Sequence, residues 1–188
     1  MSYDSIDIRN VCLVGPSNSG KTQLAEALLY AGGTIQKCGS VNDGDTVLDF
    51  MDRERRLGHS LYPAVCHLDH KNIHVNLIDT PGYRDFYGRA VSVMPAADTA
   101  AIVINAQMGI ELVTRRMMKV AKQQRLCRMI IVNKIDAEET DLKVLLDEIQ
   151  SAFGPECLPI NLPSADGTGV ADCFFEPKGA ATAFDSFA

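Results

Sequence analysis

The stretch that decides the fold is Gly15-Pro16-Ser17-Asn18-Ser19-Gly20-Lys21-Thr22. It matches the phosphate-loop pattern of a glycine, four residues of any type, a glycine, a lysine and a hydroxyl residue. The two glycines let the backbone curl tightly, so that successive N–H groups point at phosphate oxygens beside the positive end of the next helix. An apolar run at 11–14 precedes the loop and an amphipathic run follows it, which disfavours an ordinary glycine turn. All eight residues are therefore predicted to contact the phosphates of a nucleoside triphosphate.

Three side chains are predicted to lie near those phosphates. Lys21 neutralises charge on the β- and γ-phosphates, and the Thr22 hydroxyl can bind Mg²⁺. Asp79 follows the apolar run 73–78 and begins the sequence Asp79-Thr80-Pro81-Gly82-Tyr83. An aspartate at the carboxyl end of a strand lies at the edge of the sheet where open α/β folds bind their ligands.

The rest of the chain alternates between strand and helix patterns. The predicted strands are 11–14, 61–68, 73–78, 100–104, 129–132, 158–162 and 169–176, and the predicted helices follow the phosphate loop and cover 86–94, 111–124 and 142–153. This alternation predicts an α/β fold with a doubly wound, mostly parallel sheet, in which 61–68 and 73–78 form an antiparallel hairpin at one edge. The polar, glycine-dotted segment 38–58 has little periodicity and is predicted to be a mobile loop.

A second motif concerns the base of the nucleotide. Asn133-Lys134-Ile135-Asp136 follows the apolar strand 129–132, on the same rim as the phosphate loop. The carboxylate of Asp136 can accept hydrogen bonds from N1–H and the exocyclic amine of guanine, which adenine cannot supply, and this discriminates by up to about 10⁴-fold. Asn133 would brace the pocket and Lys134 would cover the base. Asp136 as a simple helix cap is the alternative interpretation.

Composition sets limits on the class of protein. The chain has 188 residues, 46% hydrophobic content and a net charge of −6, which suits one globular domain and argues against a general nucleic-acid-binding protein. No apolar run is long enough to span a bilayer and the start lacks a signal-peptide pattern, so we expect a cytoplasmic location. Six widely spaced cysteines predict free thiols, most of them buried, in a reducing compartment.

The order GPSNSGKT, DTPGY and NKID resembles the translational GTPases, and elongation factor G most closely, from about residue 9 to 176. The resemblance implies a P-loop GTPase (Ras-like) fold, Mg²⁺ as cofactor, GTP and GDP as ligands, and GTP hydrolysis on the ribosome by a monomer that binds neither membranes nor specific DNA sequences. It implies that Thr22, Ser60 and Asp79 hold the metal. It also implies catalytic roles for Lys21, for Gly82, whose N–H senses the γ-phosphate, and for Tyr83.

Four positions depart from the pattern of that family and suggest a divergent paralogue. Tyr83 stands where the family has a histidine that positions the attacking water, and a phenol with a pKa of about 10 is a poor proton acceptor, although it can orient water. Ser60 replaces a threonine, Asn18 an aspartate, and His59 an apolar residue. Whether His59 replaces the lost imidazole is open. A GTP-dependent binding module that does not hydrolyse GTP is the main alternative function, and Asp136 disfavours an ATP-using kinase-like enzyme.

The end of the sequence allows two interpretations. Ser164-Ala165 lies at the distance from Asn133 at which small GTPases carry a loop that contacts guanine O6. The residues around it, however, align better with the start of the insertion in elongation factor G. We therefore expect a G domain at 1–157 and a truncated start of the insertion subdomain at 158–188, with the ribosome-docking domains missing.

Two clusters of charged or polar side chains have simpler explanations. His67, His70 and His74 are close in sequence, but solvent exposure on a hairpin explains them better than a metal site. Arg115, Lys119 and Lys122 share one helical face, which fits RNA contact and a solvated surface equally well.

Overall fold

The computed structural model describes residues 3–137, 140–164 and 169–175. The chain forms two compact units, Met1–Thr140 and Asp141–Ala188. The phosphate loop, the residues 79–83 and the residues 133–136 all belong to the first unit. The predicted domain boundary after residue 157 stays a prediction.

The first unit is built on a five-stranded sheet in the order β2-β3-β1-β4-β5. Its strands are β1 (Ile8–Val14), β2 (Ala64–His70), β3 (Ile73–Asp79), β4 (Thr99–Asn105) and β5 (Cys127–Asn133). Neighbouring strands are parallel except for β2, which runs antiparallel to β3 at one edge. The prediction of a mostly parallel α/β sheet with an antiparallel edge hairpin is confirmed.

Four helices accompany this sheet. They are α1 (Lys21–Ala31), α2 (Asp52–Leu57), α3 (Tyr87–Val93) and α4 (Leu112–Gln123). The apolar runs that predicted β4 and β5 are continuous because both faces of a parallel sheet are covered, and six of the seven residues of β4 are buried. Because β1, β3, β4 and β5 are parallel, the phosphate loop, Asp79 and Asn133 all lie at the carboxyl edge of the sheet.

The hairpin of β2 and β3 turns more tightly than predicted. Lys71 and Asn72 alone connect the strands, with φ of 47° and 67°. Positive φ at both central residues is the hallmark of the type I′ turn, whose twist matches that of the strands it joins. His67 and His70 are exposed and His74 is partly buried, with its ring 5.1 Å from that of His67. Within the described residues, no group of three or more potential metal-ligating side chains is found.

The segment 38–58 differs from the predicted loop. It contains helix α2, and it places Leu48 in a core cluster with Leu13, Ala25 and Ala101. The buried carboxylates of Glu26 and Glu54 also accept hydrogen bonds from backbone N–H groups of this segment. Residues 38–51 form no regular helix or strand, as the loop prediction has it, whereas 52–57 are helical because tertiary contacts rather than local periodicity order them. The predicted mobility of the segment stays a prediction.

The cysteines also differ from the prediction. No disulfide joins the six cysteines, all of which are among the described residues, but only Cys12 is buried, and Cys127 is exposed. Among the residues that the structure describes, no helix combines the length and the apolar character that a bilayer crossing needs.

The second unit contains helix α5 (Leu142–Phe153) and an antiparallel pair, β6 (Asn161–Pro163) and β7 (Val170–Asp172). Asp141 caps the helix, since its Oδ1 accepts hydrogen bonds from the N–H groups of residues 143 and 144 at 3.0 and 3.1 Å. The helix ends at Gly154, as predicted. Ser164 pairs with Gly169, whereas Ala165 and residues 176–188 lie outside the described residues.

Candidate nucleotide-binding site

The phosphate loop adopts a conformation that only its two glycines permit. Gly15 has φ of +146° and Gly20 has φ of +87°. A Cβ atom on Gly15 would collide with the backbone oxygen of Val103, and one on Gly20 would collide with the side-chain amide of Asn133. Asn18 also has a positive φ, of 59°, which asparagine tolerates better than most residues. The loop therefore lies in close contact with β4 and with the end of β5.

Lys21 is buried under this loop. Its Nζ donates a hydrogen bond to the Pro16 carbonyl at 2.7 Å and lies 3.5 Å from the Ser19 hydroxyl. Burial lowers the pKa of Lys21 to about 8, and the nearby carboxylates of Asp79 and Glu111 oppose that shift. A phosphate anion in the loop would favour the charged ammonium group further.

The side chains predicted to hold a metal meet at hydrogen-bond distance. The Thr22 hydroxyl donates to Asp79 Oδ2 at 2.6 Å and lies 3.2 Å from the Ser60 hydroxyl. Asp79 is 2% exposed, and burial is the main cause that raises its pKa to about 6. Its Oδ1 is buried without a hydrogen-bond partner in the described structure. One buried carboxylate with a free oxygen beside two hydroxyls fits Mg²⁺, which keeps several waters and needs few protein ligands.

Asp49 belongs to the same cluster, and no sequence motif marks it. Its Oδ1 accepts a hydrogen bond from the Ser60 hydroxyl at 3.0 Å, and its Oδ2 accepts one from the Thr46 hydroxyl at 3.2 Å. Asp49 is 3% exposed, and its charge contributes to the raised pKa of Asp79. A lone aspartate in a segment without periodicity carries no recognisable pattern, so only its distance to Ser60 reveals its place in the site.

Two buried glutamates hold the backbone before and after Ser60. Glu26 accepts hydrogen bonds from the N–H groups of Gly39 and Val47, both at 3.1 Å. Glu54 accepts from Leu61 N–H at 2.8 Å and from Tyr62 N–H at 3.1 Å. Each carboxylate thus replaces the backbone partners that an irregular segment lacks.

Tyr83 and Gly82 reach the site from the segment after β3. Gly82 lies against the phosphate loop, since a Cβ atom there would be 2.5 Å from Lys21 Nζ and 2.6 Å from the Pro16 oxygen. Tyr83 is 41% exposed, and its ring centroid is 4.3 Å from that of His59. The imidazole of His59, whose role as a replacement for the family's histidine the sequence left open, is therefore in contact with the phenol of Tyr83.

The residues predicted to recognise the base are only partly assembled. Asn133 Nδ2 donates to the backbone oxygen of Ser19 at 2.9 Å, so this side chain braces the phosphate loop. Lys134 lines the same cavity as the loop, with φ of 59°. Asp136 is exposed and does not line that cavity.

A cavity of about 260 Å³ lies beside the phosphate loop. It is lined by residues of the phosphate loop and α1, of 41–42, 49 and 58–60, and of 80–83, together with Lys134. His59, Ser60, Gly82 and Tyr83 all line it, as do Lys21 and Thr22. Asp79 does not line the cavity but contacts it through its hydrogen bond with Thr22.

Comparison with known proteins decides the family. The model of the elongation factor Tu GTP binding domain matches residues 6–182. The chain belongs to this family of GTP-binding domains. The resemblance to translational GTPases and the P-loop fold class predicted from the motifs are confirmed.

Similar proteins include several translation factors. The chain is 42% identical to an elongation factor G-like protein of Mycobacterium tuberculosis over 160 residues. That match covers 85% of this chain and 22% of the relative. The chain is 34% identical over 178 residues to elongation factor G of Mycoplasma pneumoniae, with 93% and 26% covered. It is 35% identical over 170 residues to peptide chain release factor 3 of Gloeothece citriformis, with 88% and 31% covered. The chain thus spans less than a third of the length of these curated relatives.

Solved structures agree with this assignment. A crystal structure of a protein from Thermus thermophilus superposes with a TM-score of 0.83 and 38% identity, over 88% of this chain and 25% of that one. The bacterial selenocysteine-specific elongation factor superposes with a TM-score of 0.62 and 21% identity, over 80% and 23%. At that identity the second match supports the fold alone.

Proposed function

We propose that this chain binds GTP and GDP with Mg²⁺ and hydrolyses GTP, as the switch domain of an elongation factor G-like translation protein. The observation that carries the proposal is the meeting of Thr22, Ser60 and Asp79 beside the phosphate loop, with Asp79 Oδ1 buried and unpaired in the described structure. An ordinary core would not leave a carboxylate oxygen buried without a partner. A bound cation with its water shell supplies one.

The binding step uses the loop and three side chains. The backbone N–H groups of the phosphate loop, which Pro16 alone lacks, cradle the phosphates, and Lys21 balances the charge of the β- and γ-phosphates. Thr22 and Ser60 would hold the metal directly, and Asp79 would hold it through water. When bound, Mg²⁺ neutralises charge on the phosphate oxygens.

The hydrolytic step forms a bond from a water oxygen to the γ-phosphorus and breaks the bond to the bridging oxygen, so that GDP and phosphate leave. Lys21 stabilises the charge that develops, and the Gly82 N–H donates to the γ-phosphate. The Tyr83 hydroxyl orients the water by hydrogen bonding, since a phenol is too weak a base to take its proton at neutral pH. The proton ends on the phosphate product.

The proposed base specificity is for guanine. Asp136 would accept two hydrogen bonds from the base, Lys134 would cover it, and Asn133 would hold the phosphate loop against it. Asp136 is exposed in the structure and lies two residues after Lys134, which lines the cavity.

A second candidate is a GTP-dependent binding module that signals its nucleotide state without hydrolysis. The phenol of Tyr83 in place of a histidine favours it, because the site then lacks a strong proton acceptor at that position. The two candidates make the same binding prediction and differ only in turnover.

The proposal extends to the whole protein. We place it in the cytoplasm as a monomer that contacts the ribosome through the switch face and through domains outside this chain, without membrane or specific DNA partners. Residues 1–157 would form the G domain, and 158–188 would begin an insertion subdomain. The relatives that are elongation and release factors support this extension.

Isothermal titration of the chain with GTP, GDP and ATP in the presence and absence of Mg²⁺ tests the proposal. We expect guanine nucleotides to bind at least about 100-fold more tightly than ATP, and GTP binding to weaken when the metal is removed. Equal affinity for GTP and ATP would contradict the guanine assignment. Phosphate release by the full-length protein with ribosomes then separates the hydrolysing domain from the binding module.

A further inference from the structure

An arginine lies between two aromatic rings at the edge of the proposed site. Arg89 on α3 places its guanidinium carbon 4.0 Å from the ring centroid of Tyr62 and 4.8 Å from that of Phe86. The same guanidinium donates a hydrogen bond to the backbone oxygen of Leu61. We call these four residues the arginine clamp.

The clamp uses properties that only arginine combines. A planar guanidinium stacks on aromatic faces while its N–H groups donate in the plane, whereas a lysine ammonium is a compact point charge. Arg89 and its hydrogen bond to the Leu61 carbonyl are partly buried, so the bond is only partly exposed to water. No motif marks this residue in the sequence.

The clamp joins the two segments that carry the reacting groups. On one side, Leu61 follows Ser60, whose hydroxyl lies 3.2 Å from that of Thr22. On the other side, the Phe86 N–H donates to the Tyr83 backbone oxygen at 3.0 Å. The ring of His59 completes the junction, at 4.3 Å from Tyr83 and 6.4 Å from Phe86. A displacement of either segment therefore moves the other.

We infer that Arg89 is a positioning residue for GTP hydrolysis. It holds the segment 59–62 against the turn 83–86, so that the Ser60 hydroxyl and the Tyr83 ring keep a fixed relation across the cavity. This inference rests on the proposed GTPase function. Arg89 is not among the residues that line the cavity, so its effect passes through the residues that it holds.

The test uses the whole chain with Arg89→Ala and Arg89→Lys, and with Arg116→Ala on the exposed face of α4 as the matched control. Single-turnover release of labelled phosphate from GTP should fall roughly 10-fold in Arg89→Ala, with GDP affinity unchanged within about twofold. Arg89→Lys keeps the positive charge but lacks the planar group that stacks on the rings. Its rate of phosphate release should lie between those of the parent and of Arg89→Ala. This lysine variant also serves if Arg89→Ala does not fold.

Hydrogen exchange of the backbone amides provides a second readout that does not depend on turnover. In the nucleotide-free chain, Arg89→Ala should speed exchange at 59–62 by about 10-fold while β4 exchanges at the parent rate. Unchanged exchange at 59–62 would overturn the inference. Equal rates of phosphate release by the parent and by Arg89→Ala would also overturn the inference. A parent that releases no phosphate would contradict the proposed function, and the positioning role with it.

Discussion

The ring of His59 packs against the ring of Tyr83, with their centroids 4.3 Å apart and their planes tilted by 44°. These two residues come from different segments, 59–62 and the turn 83–86, and both line the cavity beside Ser60 and Gly82. The contact gives Tyr83 a packed partner although 41% of its surface is exposed. The contact with His59 therefore fixes where the Tyr83 hydroxyl lies, and we expect this hydroxyl to act by orienting water and not as a base.

The first prediction concerns the Tyr83 hydroxyl. Tyr83→Phe keeps the ring contact with His59 but removes the group proposed to orient water. We expect GTP hydrolysis to slow by roughly 10-fold or more, on the scale of one lost transition-state hydrogen bond, with nucleotide affinity unchanged. Tyr83→His should retain or raise the rate. A ribosome-stimulated assay of the full-length protein measures the rate of GTP hydrolysis. Equal rates for Tyr83→Phe and the parent would remove Tyr83 from the mechanism.

The second prediction concerns the charge of Asp79 in the metal-free chain. Its folded-state pKa of about 6 lies above the ordinary value of 3.8, so the unfolded chain releases this proton first as the pH rises. Stability should therefore fall between about pH 4 and pH 6, by an amount on the order of 3 kcal/mol from this group.

Asp79→Asn should reduce the loss of stability between about pH 4 and pH 6, because the amide does not titrate. It should also abolish the Mg²⁺ dependence of nucleotide binding. Urea unfolding in EDTA at about pH 4, 5, 6 and 7 measures the first effect across the range that linkage predicts. A parent and a variant with the same pH dependence would show that burial does not raise the pKa of Asp79 as the structure indicates.

The third prediction concerns the buried carboxylate of Glu54. Glu54→Ala leaves the N–H groups of Leu61 and Tyr62 without their partner and should lower the free energy of unfolding by about 2–4 kcal/mol. Asp52→Ala, at an exposed position of the same helix, is the matched control and should change it by less than about 0.5 kcal/mol. Urea denaturation of the three proteins provides the comparison. Similar losses in both variants would argue against the anchoring role of Glu54.

The local motifs predicted where the phosphate loop, Asp79 and Asn133 lie, because their geometry is set by a few neighbouring residues. Gly15 and Gly20 fix the phosphate loop through their own backbone angles, and the apolar strands place Asp79 and Asn133 on one edge. Asp49 could not be found in this way. It acts through a contact with Ser60, eleven positions away, that no periodic pattern encodes.

The segment around α2 illustrates the same limit. Its polar, glycine-dotted sequence has the composition of a loop, yet Glu26 and Glu54 satisfy its backbone and Leu48 enters the core. Arg89 is a further case, because its role depends on two rings from separate segments. Contacts of this kind follow from the folded topology and not from local propensity.

The fourth prediction concerns the base. If Asp136 pairs with two guanine donors, Asp136→Asn should shift preference from guanosine towards xanthosine nucleotides, whose C2 oxygen suits an amide donor. Isothermal titration of parent and variant with both diphosphates measures the two affinity ratios. Identical ratios in the two proteins would reject Asp136 as the base-reading residue.

The most direct test of the account is the release of labelled γ-phosphate from GTP by an excess of the chain in Mg²⁺, compared with Lys21→Ala. We expect slow release, because a GTPase without its partner can be about 10⁵-fold below its stimulated rate. That release should disappear when Mg²⁺ is chelated and in Lys21→Ala, and ATP should not be cleaved. Release by the parent no faster than by Lys21→Ala, or equal cleavage of ATP, would contradict a GTP-hydrolysing site built on Lys21, Thr22 and Asp79.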